Sequence, residues 1–532
     1  MRRRLSPQIY LPALFILAAL LAFSINLNSY FISDDFAQIG KVLHRDFSVA
    51  WGQAHGGFFR PLFILSYIVD SRIWHGRPFG FHLTNILIHS LNSFLVFKFG
   101  LRLFQNLNFP AKSIRAAVGA AAVLFLLHPS HTEAVTWISG RADLLATCFC
   151  LVSLWCYCAY VDTRRNAHLI AAIAFGAMAL LAKESAICLP LFILIVGLYL
   201  SRGRRVLVEF GAFGVILIAF VLLRASFLGS LVGGYGTSQH LNFAPGWIRD
   251  RLLEAVARSI LPPLPAAWSW FLFKPLQSPL FILIALAILG SLAGAIVFRR
   301  RRYDASDRTR QNRLLLVLVI LFLSAILPVI NLRLSLYETL GERFLYLPTV
   351  FSCLLMGYLS IILIRNHTVW MALLICVLGF YSWRLYVTNQ LWRDAAQLTR
   401  SIKDDLTALS SQKHLTILNA PDNLRGVPVF HNGLPEALQF FQTQKPIESV
   451  EINAFQTLQL PTDENALHPA DDAFTLQPAN RLDTFNRASS SECLELLSQS
   501  ADGLKLKRKP CLTTTEVYFL NGGRMQPAFQ RR

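Results

Sequence analysis

A multi-spanning α-helical membrane protein with about eleven transmembrane helices, followed by a small extracytoplasmic α+β or β-rich domain, is the fold that three observations predict. The 532 residues are 54% hydrophobic and only 15% charged, less charged than a soluble chain of this length. The apolar residues are gathered into runs long enough to cross a hydrocarbon core of roughly 30 Å. Beyond residue 386 the runs shorten and alternate with turn residues, and the tail carries 15 basic and 16 acidic residues.

The expected spans are 8–27, 82–104, 115–128, 141–161, 167–182, 185–201, 206–226, 276–298, 313–331, 344–364 and 368–386. The first run, "LPALFILAALLAFSINL", follows "MRRR" and has no small-residue cleavage site, so it reads as a retained span rather than a signal peptide. Lys and Arg cluster at 2–4, 112–115, 163–165, 201–205 and 298–303. With these spans all five clusters fall on the side of the N-terminus, which the positive-inside rule makes cytoplasmic. The odd number of spans then places the tail outside. The net charge of +19 is mostly this topological bias, and nothing supports nucleic-acid binding.

Two long outer segments interrupt the spans. Segment 28–81 holds "FFRPLFILSYIVDSRIW", with apolar residues at helical spacing, and reads as an amphipathic helix at the membrane surface. Segment 227–275 opens Gly-rich, continues as a second interfacial helix over 247–261, and closes on "PPLP". The two units are therefore a membrane module, 1–390, and an outer domain, 395–532. Within the latter, 414–421 reads as strand and turn, 433–442 as a short helix and 515–523 as strand and turn. Seven of the nine cysteines lie in spans, where they act as small apolar residues. Cys493 and Cys511 lie in the outer tail and could pair in an oxidising compartment.

Residues 1–386 contain only fifteen acids, and eleven of them fall on or near the outer face. The adjacent pair Asp34 and Asp35 follows the first span. His82, Asn85 and His89 stack on one face of the second, where interhelical hydrogen bonding is at least as good a reading as a direct role. The stretch "FLLHPSHTEAVTWISGRAD" offers His128, His131, Glu133, Arg141 and Asp143. The guanidinium fork of an arginine there suits a phosphate, the competing reading being a helix-end salt bridge to Glu133. Lys183 with Glu184 and Glu342 with Arg343 add two more charged pairs at the outer ends of spans.

"SDDFAQI", "FRPLFILSY", "GFHLTNILIHSLN", "LLHPSHTEAVTWISGRADLLA", "LAKESAICLPL" and "GERFLYLP" occur in that order between residues 25 and 350. This ordered set resembles the signature segments of the tetratricopeptide-linked transmembrane O-mannosyltransferases and their bacterial relatives, glycosyltransferases of the GT-C fold. The resemblance implies a donor sugar carried on a polyprenyl phosphate and transferred on the outer face of a bacterial cytoplasmic membrane. It makes the acidic motif of the first outer loop catalytic, matching Asp34 and Asp35, with Asp34 the preferred base. The family's repeats have no counterpart in the tail, which leaves glycan, lipid and protein acceptors all open.

Polyprenyl phosphate leaves readily, so such an enzyme must orient or deprotonate an acceptor hydroxyl and hold the departing charge. A carboxylate does the first. Arg60, Arg141, Lys183 and Arg343 compete for the second. A single displacement would invert the anomeric centre. The second aspartate would orient the first, cap the helix expected near Phe36, or bind a divalent cation, and no motif names another cofactor. The rival readings are a transporter or flippase of lipid-linked sugars, which predicts ionisable residues at mid-membrane and a repeat symmetry, and a non-catalytic envelope scaffold.

Overall fold

The computed structural model describes residues 7–43, 51, 57–201, 203–229, 242–261, 304–332, 334, 339–364, 366–409, 414–440, 449–470, 473–478, 480, 483–491, 494–500, 503–509 and 516–528. Helices α1 (Pro7–Phe23), α2 (Asp34–Val42), α3 (Pro61–Trp74), α4 (Pro78–Phe104) and α5 (Ala111–Leu126) are followed by the short α6 (Thr132–Thr136). Then come α7 (Arg141–Thr163), α8 (Asn166–Ala182), α9 (Leu189–Leu200), α10 (Arg205–Leu228) and α11 (Pro245–Arg258). The last group is α12 (Ala305–Ile326), α13 (Tyr346–Leu363), α14 (His367–Leu409) and α15 (Leu434–Phe440).

Among the described residues six helices are long and apolar enough to cross a membrane, or seven if α5 and its bent continuation Pro129–Thr136 form one span. Tyr10–Asn26, Asn166–Ala182 and Glu184–Leu200 are shorter apolar helices. The count of eleven is thus not established, and the expected span 276–298 lies outside the described residues, as do the basic cluster 298–303, Cys493 and Cys511.

The bundle exposes apolar side chains on its outside. On α10, Leu207, Val208, Val215, Ile218 and Leu222 are all more than half exposed. Phe213 and Phe220 of the same helix are buried in the large core that α4, α5, α7, α9, α12 and α13 share. Helix α3 occupies the expected surface segment. It buries Phe63, Ile64, Tyr67 and Ile68 and leaves Val69 and Ile73 outward.

The final span ends differently from the expectation. No break separates it from the tail, because α14 runs on for 43 residues, roughly 65 Å at the rise of an α-helix and about twice a hydrocarbon core. Its far half buries Trp392, Ala395, Leu398, Ile402 and Leu406, at helical spacing, in a second core. That core also takes Phe36, Ile39, Phe63 and Tyr67 from α2 and α3, and Phe430, Leu434 and Leu438 from the tail. Membrane module and tail therefore share apolar burial instead of merely abutting.

Among the described residues the tail contains three four-stranded sheets. One joins β1 (His414–Ile417) in parallel to both β4 (Ser449–Ile452) and β11 (Glu516–Asn521), with Leu415 opposite Val450 and Glu516. A second pairs β2 (Ala420–Leu424) in parallel with β5 (Phe455–Leu458) and antiparallel with β3 (Val427–Pro428). The third is antiparallel, with β7 (Ala473–Pro478) between β6 (Asn465–Ala470) and β10 (Gly503–Arg508). A strand at 414, a helix at 434 and a strand at 516 match the expected elements.

Candidate functional site

Helix α2 begins at Asp34, with Ser33 at its N-cap, so both aspartates stand in a first helical turn instead of on extended backbone. Successive helical side chains diverge by about 100°, which sends the two carboxylates to different surroundings. Asp35 is 1% exposed. Its Oδ1 accepts from Ser139 N at 2.9 Å and Ser139 Oγ at 2.6 Å, and its Oδ2 from Ile32 N at 3.2 Å. Burial pushes this carboxyl up to about 7, against the opposing pull of the Ser139 and Ile32 hydrogen bonds. Asp34 is half-buried and accepts from Asn432 Nδ2 at 2.8 Å.

Asp34 lines a small polar chamber of about 40 Å³ together with Gln38, Phe58, Arg60, Phe63, Trp137, Ser139, Asp143, Lys183 and Arg343. Lys183 Nζ donates to Asp143 Oδ2 at 2.5 Å, and Arg60 is paired with Glu184 at 2.9 Å. Arg343 is paired with Glu133, which also accepts from the Arg343 backbone at 2.8 Å. Aromatic faces flank the cations, with Arg343 4.8 Å from the ring centroids of Trp137 and Phe344 and Lys183 5.1 Å from that of Phe344. Gln38 Oε1 and Trp137 Nε1 are buried without a hydrogen-bond partner among the described residues. Orphaned polar atoms of this kind are uncommon in folded proteins.

The chamber adjoins a larger groove of about 290 Å³, and Phe58 and Lys183 line both. The groove walls are mainly apolar, with Ile187, Phe220, Val221, Pro328, Val329, Leu332 and Phe344, and Glu184 and Arg224 supply its further charge. Among the described residues no three His, Cys, Asp or Glu side chains converge as metal ligands would.

The remaining sequence-predicted residues lie in a sealed layer beside the chamber. Arg141 is 0% exposed and pairs with Asp70 at 2.6 Å, not with Glu133. It also donates to Asn85 Oδ1 at 2.7 Å and to the Phe81 carbonyl at 2.9 Å. Asn85 in turn donates to the carbonyls of Val135 and Trp137, at 3.2 Å each, so helix α4 grips the 135–138 turn. Gly140 permits that turn, since a Cβ there would stand 2.6 Å from the Ala134 carbonyl oxygen. His82 Nε2 lies 3.1 Å from the Ser29 carbonyl.

His89 Nε2 donates to the Leu126 carbonyl at 3.0 Å, leaving Nδ1 to accept from Tyr346 Oη at 2.7 Å. His131 Nε2 lies 2.7 Å from Thr349 Oγ1, and His128 Nε2 3.2 Å from the Ser259 carbonyl. Glu342 pairs with Arg258 of α11, both 1% exposed. The structure thus gathers Asp34, Arg60, Asp143, Lys183 and Arg343 round one chamber with Glu184 at its edge. It holds His82, Asn85, His89, His128, His131, Arg141 and Glu342 in the hydrogen-bonded packing alongside. Asp35 and Glu133 join the two zones.

Sequence reasoning did not find Gln38, Phe58, Trp137, Ser139, Asn389 or Asn432. Asn389 of α14 donates to the Ala22 carbonyl and accepts through Oδ1 from Asn26 at 3.0 Å and Thr136 at 2.7 Å. All three partners lie far from it along the chain, which leaves no local signal. Trp137 and Ser139 sit inside the motif "TWISGRAD", whose charged residues carry the stronger sequence signal.

Residues 71–227 match the family described as dolichyl-phosphate-mannose-protein mannosyltransferase. Human protein O-mannosyl-transferase TMTC4 is 36% identical over 168 residues, which is 28% of this chain and 22% of that protein. Protein O-mannosyl-transferase Tmtc1 of Drosophila melanogaster is 36% identical over 156 residues, 28% of this chain and 17% of its own length. These matches span about a fifth of the relatives. The solved structure of ArnT from Cupriavidus metallidurans in the apo state covers 95% of this chain and 100% of its own, at 12% identity and a TM-score of 0.42. Over residues 71–227, where Arg141, Asp143, Lys183 and Glu184 stand, the chain is similar to dolichyl-phosphate-mannose-protein mannosyltransferases.

Proposed function

We propose that the protein is a GT-C-type membrane glycosyltransferase that moves a hexose, with mannose the first candidate, from a polyprenyl phosphate to an acceptor hydroxyl on the extracytoplasmic face. The observation that carries this reading is that the polar chamber and the apolar groove lie side by side, with Lys183 and Phe58 lining both. A polyprenyl-phosphate sugar has the same three parts in the same order. Its tail suits the groove, its phosphate the cations at the junction, and the leading edge of its sugar the chamber, where Gln38 and Trp137 offer an acceptor and a donor to hydroxyls.

In the proposed step Asp34 takes the proton from the acceptor oxygen as that oxygen attacks the anomeric carbon. The bond from that carbon to the phosphate oxygen breaks, and polyprenyl monophosphate leaves with the electron pair. Lys183, Arg60 and Arg343 hold the charge that develops on it. One displacement inverts the anomeric centre. Asp35 keeps α2 docked on the Ser139 turn and so sets where Asp34 stands. The protein would span the bacterial cytoplasmic membrane several times, with its N-terminus inside and its tail outside. The similarity to O-mannosyl-transferases supports the choice of mannose, and glycan, lipid and protein remain the acceptor classes.

The test compares cells expressing wild type or Asp34→Asn at matched protein levels. Polyprenyl-phosphate sugar consumption and new envelope glycoconjugate are read by mass spectrometry. Wild type should consume donor and form a product whose added mass identifies the sugar, and Asp34→Asn should form about a hundredth of it or less. Equal product from both would sink the assignment.

A further inference from the structure

Loop 428–433 of the C-terminal domain contacts Ser33 and the candidate base, Asp34. Ser33 N donates to the Val429 carbonyl at 2.9 Å, and Asn432 N donates to Ser33 Oγ at 3.3 Å. The Asn432 side chain donates to Asp34 Oδ1 at 2.8 Å. Phe430 stacks on Phe36 with ring centroids 5.9 Å apart and planes 18° from parallel. Gly433, at φ +87°, approaches so closely that a Cβ would stand 2.3 Å from the Ser33 carbonyl oxygen, a backbone atom that cannot move aside. Ser33 itself has φ 48° and ψ −120°, a conformation costing of order 1–3 kcal/mol for a residue with a side chain. It persists where surrounding contacts over-determine it, and loop 428–433 supplies three of them.

We propose that loop 428–433 is a positioning clamp by which the C-terminal domain completes the active site of the membrane module, with Asn432 the positioning residue for Asp34. This inference rests on the reading of Asp34 as base. One amide donor on Oδ1 fixes the carboxylate's rotation and leaves Oδ2 to receive the acceptor's proton. The clamp also explains why Ser33 is held in a strained geometry directly before the base. The domain's part in catalysis is then to hold the base in place, whatever else it recognises.

The experiment uses full-length protein in lipid nanodiscs with a polyprenyl-phosphate sugar as donor. Asn432→Ala should lower kcat by about tenfold to a hundredfold with donor KM little changed. Asn432→Gln, which retains an amide donor, should recover part of the loss. Wild-type kcat in Asn432→Ala, or a change confined to KM, would overturn the proposal.

Amide hydrogen exchange over residues 33–36 supplies a readout that needs no turnover. Gly433→Val should speed exchange there while leaving the spans protected, whereas Asn432→Ala should not. Should wild type transfer no sugar, the functional reading fails, and the exchange measurement still decides the clamp. Exchange at 33–36 indifferent to Gly433→Val would remove it.

Discussion

Two polar regions lie side by side at one end of the helices, built from the same stretches of sequence. In the sealed layer the charges and rings are taken up by short, dry contacts with protein groups, as Arg141 is by Asp70, Asn85 and the Phe81 carbonyl and His89 by Leu126 and Tyr346, although His131 Nδ1 is left without a partner among the described residues. In the chamber Asp34, Arg60, Lys183 and Arg343 border open space, beside the unpartnered polar atoms of Gln38 and Trp137. Arg141 and Asp143 are two residues apart and belong to different regions. Residue type does not separate packing from chemistry here. Access to a cavity does.

Substitutions can break that comparison, beginning with the largest expected effect. Asp34→Asn should reduce transfer by about a hundredfold to ten-thousandfold while thermal stability stays near that of wild type, read as product formed per folded molecule. A comparable loss of stability would move Asp34 into the packing layer.

Arg141→Met should do the converse. It strands Asp70 in a buried site, where removing one partner of an ion pair costs roughly 3–5 kcal/mol. Melting in detergent should show the loss, and Arg141→Met combined with Asp70→Leu should recover much of it. Unchanged melting in the single variant would show that the pair adds nothing to the fold.

Lys183 tests the border between the regions, because it pairs with Asp143 and lines the chamber. Lys183→Met should lower kcat/KM by about tenfold to a hundredfold. Adding Asp143→Asn relieves the stranded carboxylate, yet should not restore transfer if the lysine serves a phosphate. Full recovery in the double variant would make Lys183 a structural partner only.

The smallest effect concerns Asp35. Burial raises its carboxyl to about 7 from a usual value of 3.8, so the folded protein binds a proton that the unfolded chain releases between those values. Its contribution to stability is therefore complete below pH 4 and is lost as pH rises through 7. Wild type should melt a few degrees lower at pH 8 than at pH 5, and Asp35→Asn should flatten this difference. An identical pH slope in both proteins would contradict the buried, ionising carboxylate.

Much of the fold was legible in composition. Lipid demands apolar length, and apolar length is a local property, so described helices coincide with ten of the eleven expected runs. Chamber and sealed layer were not separable by the same means. The spacing of His82, Asn85 and His89 on one face of α4 was visible, but their partners at Ser29, Val135, Leu126 and Tyr346 come from four other segments. Helix α14 was read as ending near 386 because hydropathy falls there. It continues because its next face is buried against protein instead of lipid.

By itself the sequence determined that this chain has the apolar helices of a multi-pass membrane protein, that its acids gather at one end of them, and that a strand-bearing tail follows. Those properties are sums over neighbouring residues. Only the tertiary structure decided that Asp34 faces a chamber while Asp35 faces Ser139, that Arg141 is sealed while Arg343 is not, and that Asn432, 398 positions along the chain, donates to Asp34. Partnerships of that kind depend on which segments meet in space, and the burial that turns a charge into packing or chemistry exists only once they have met.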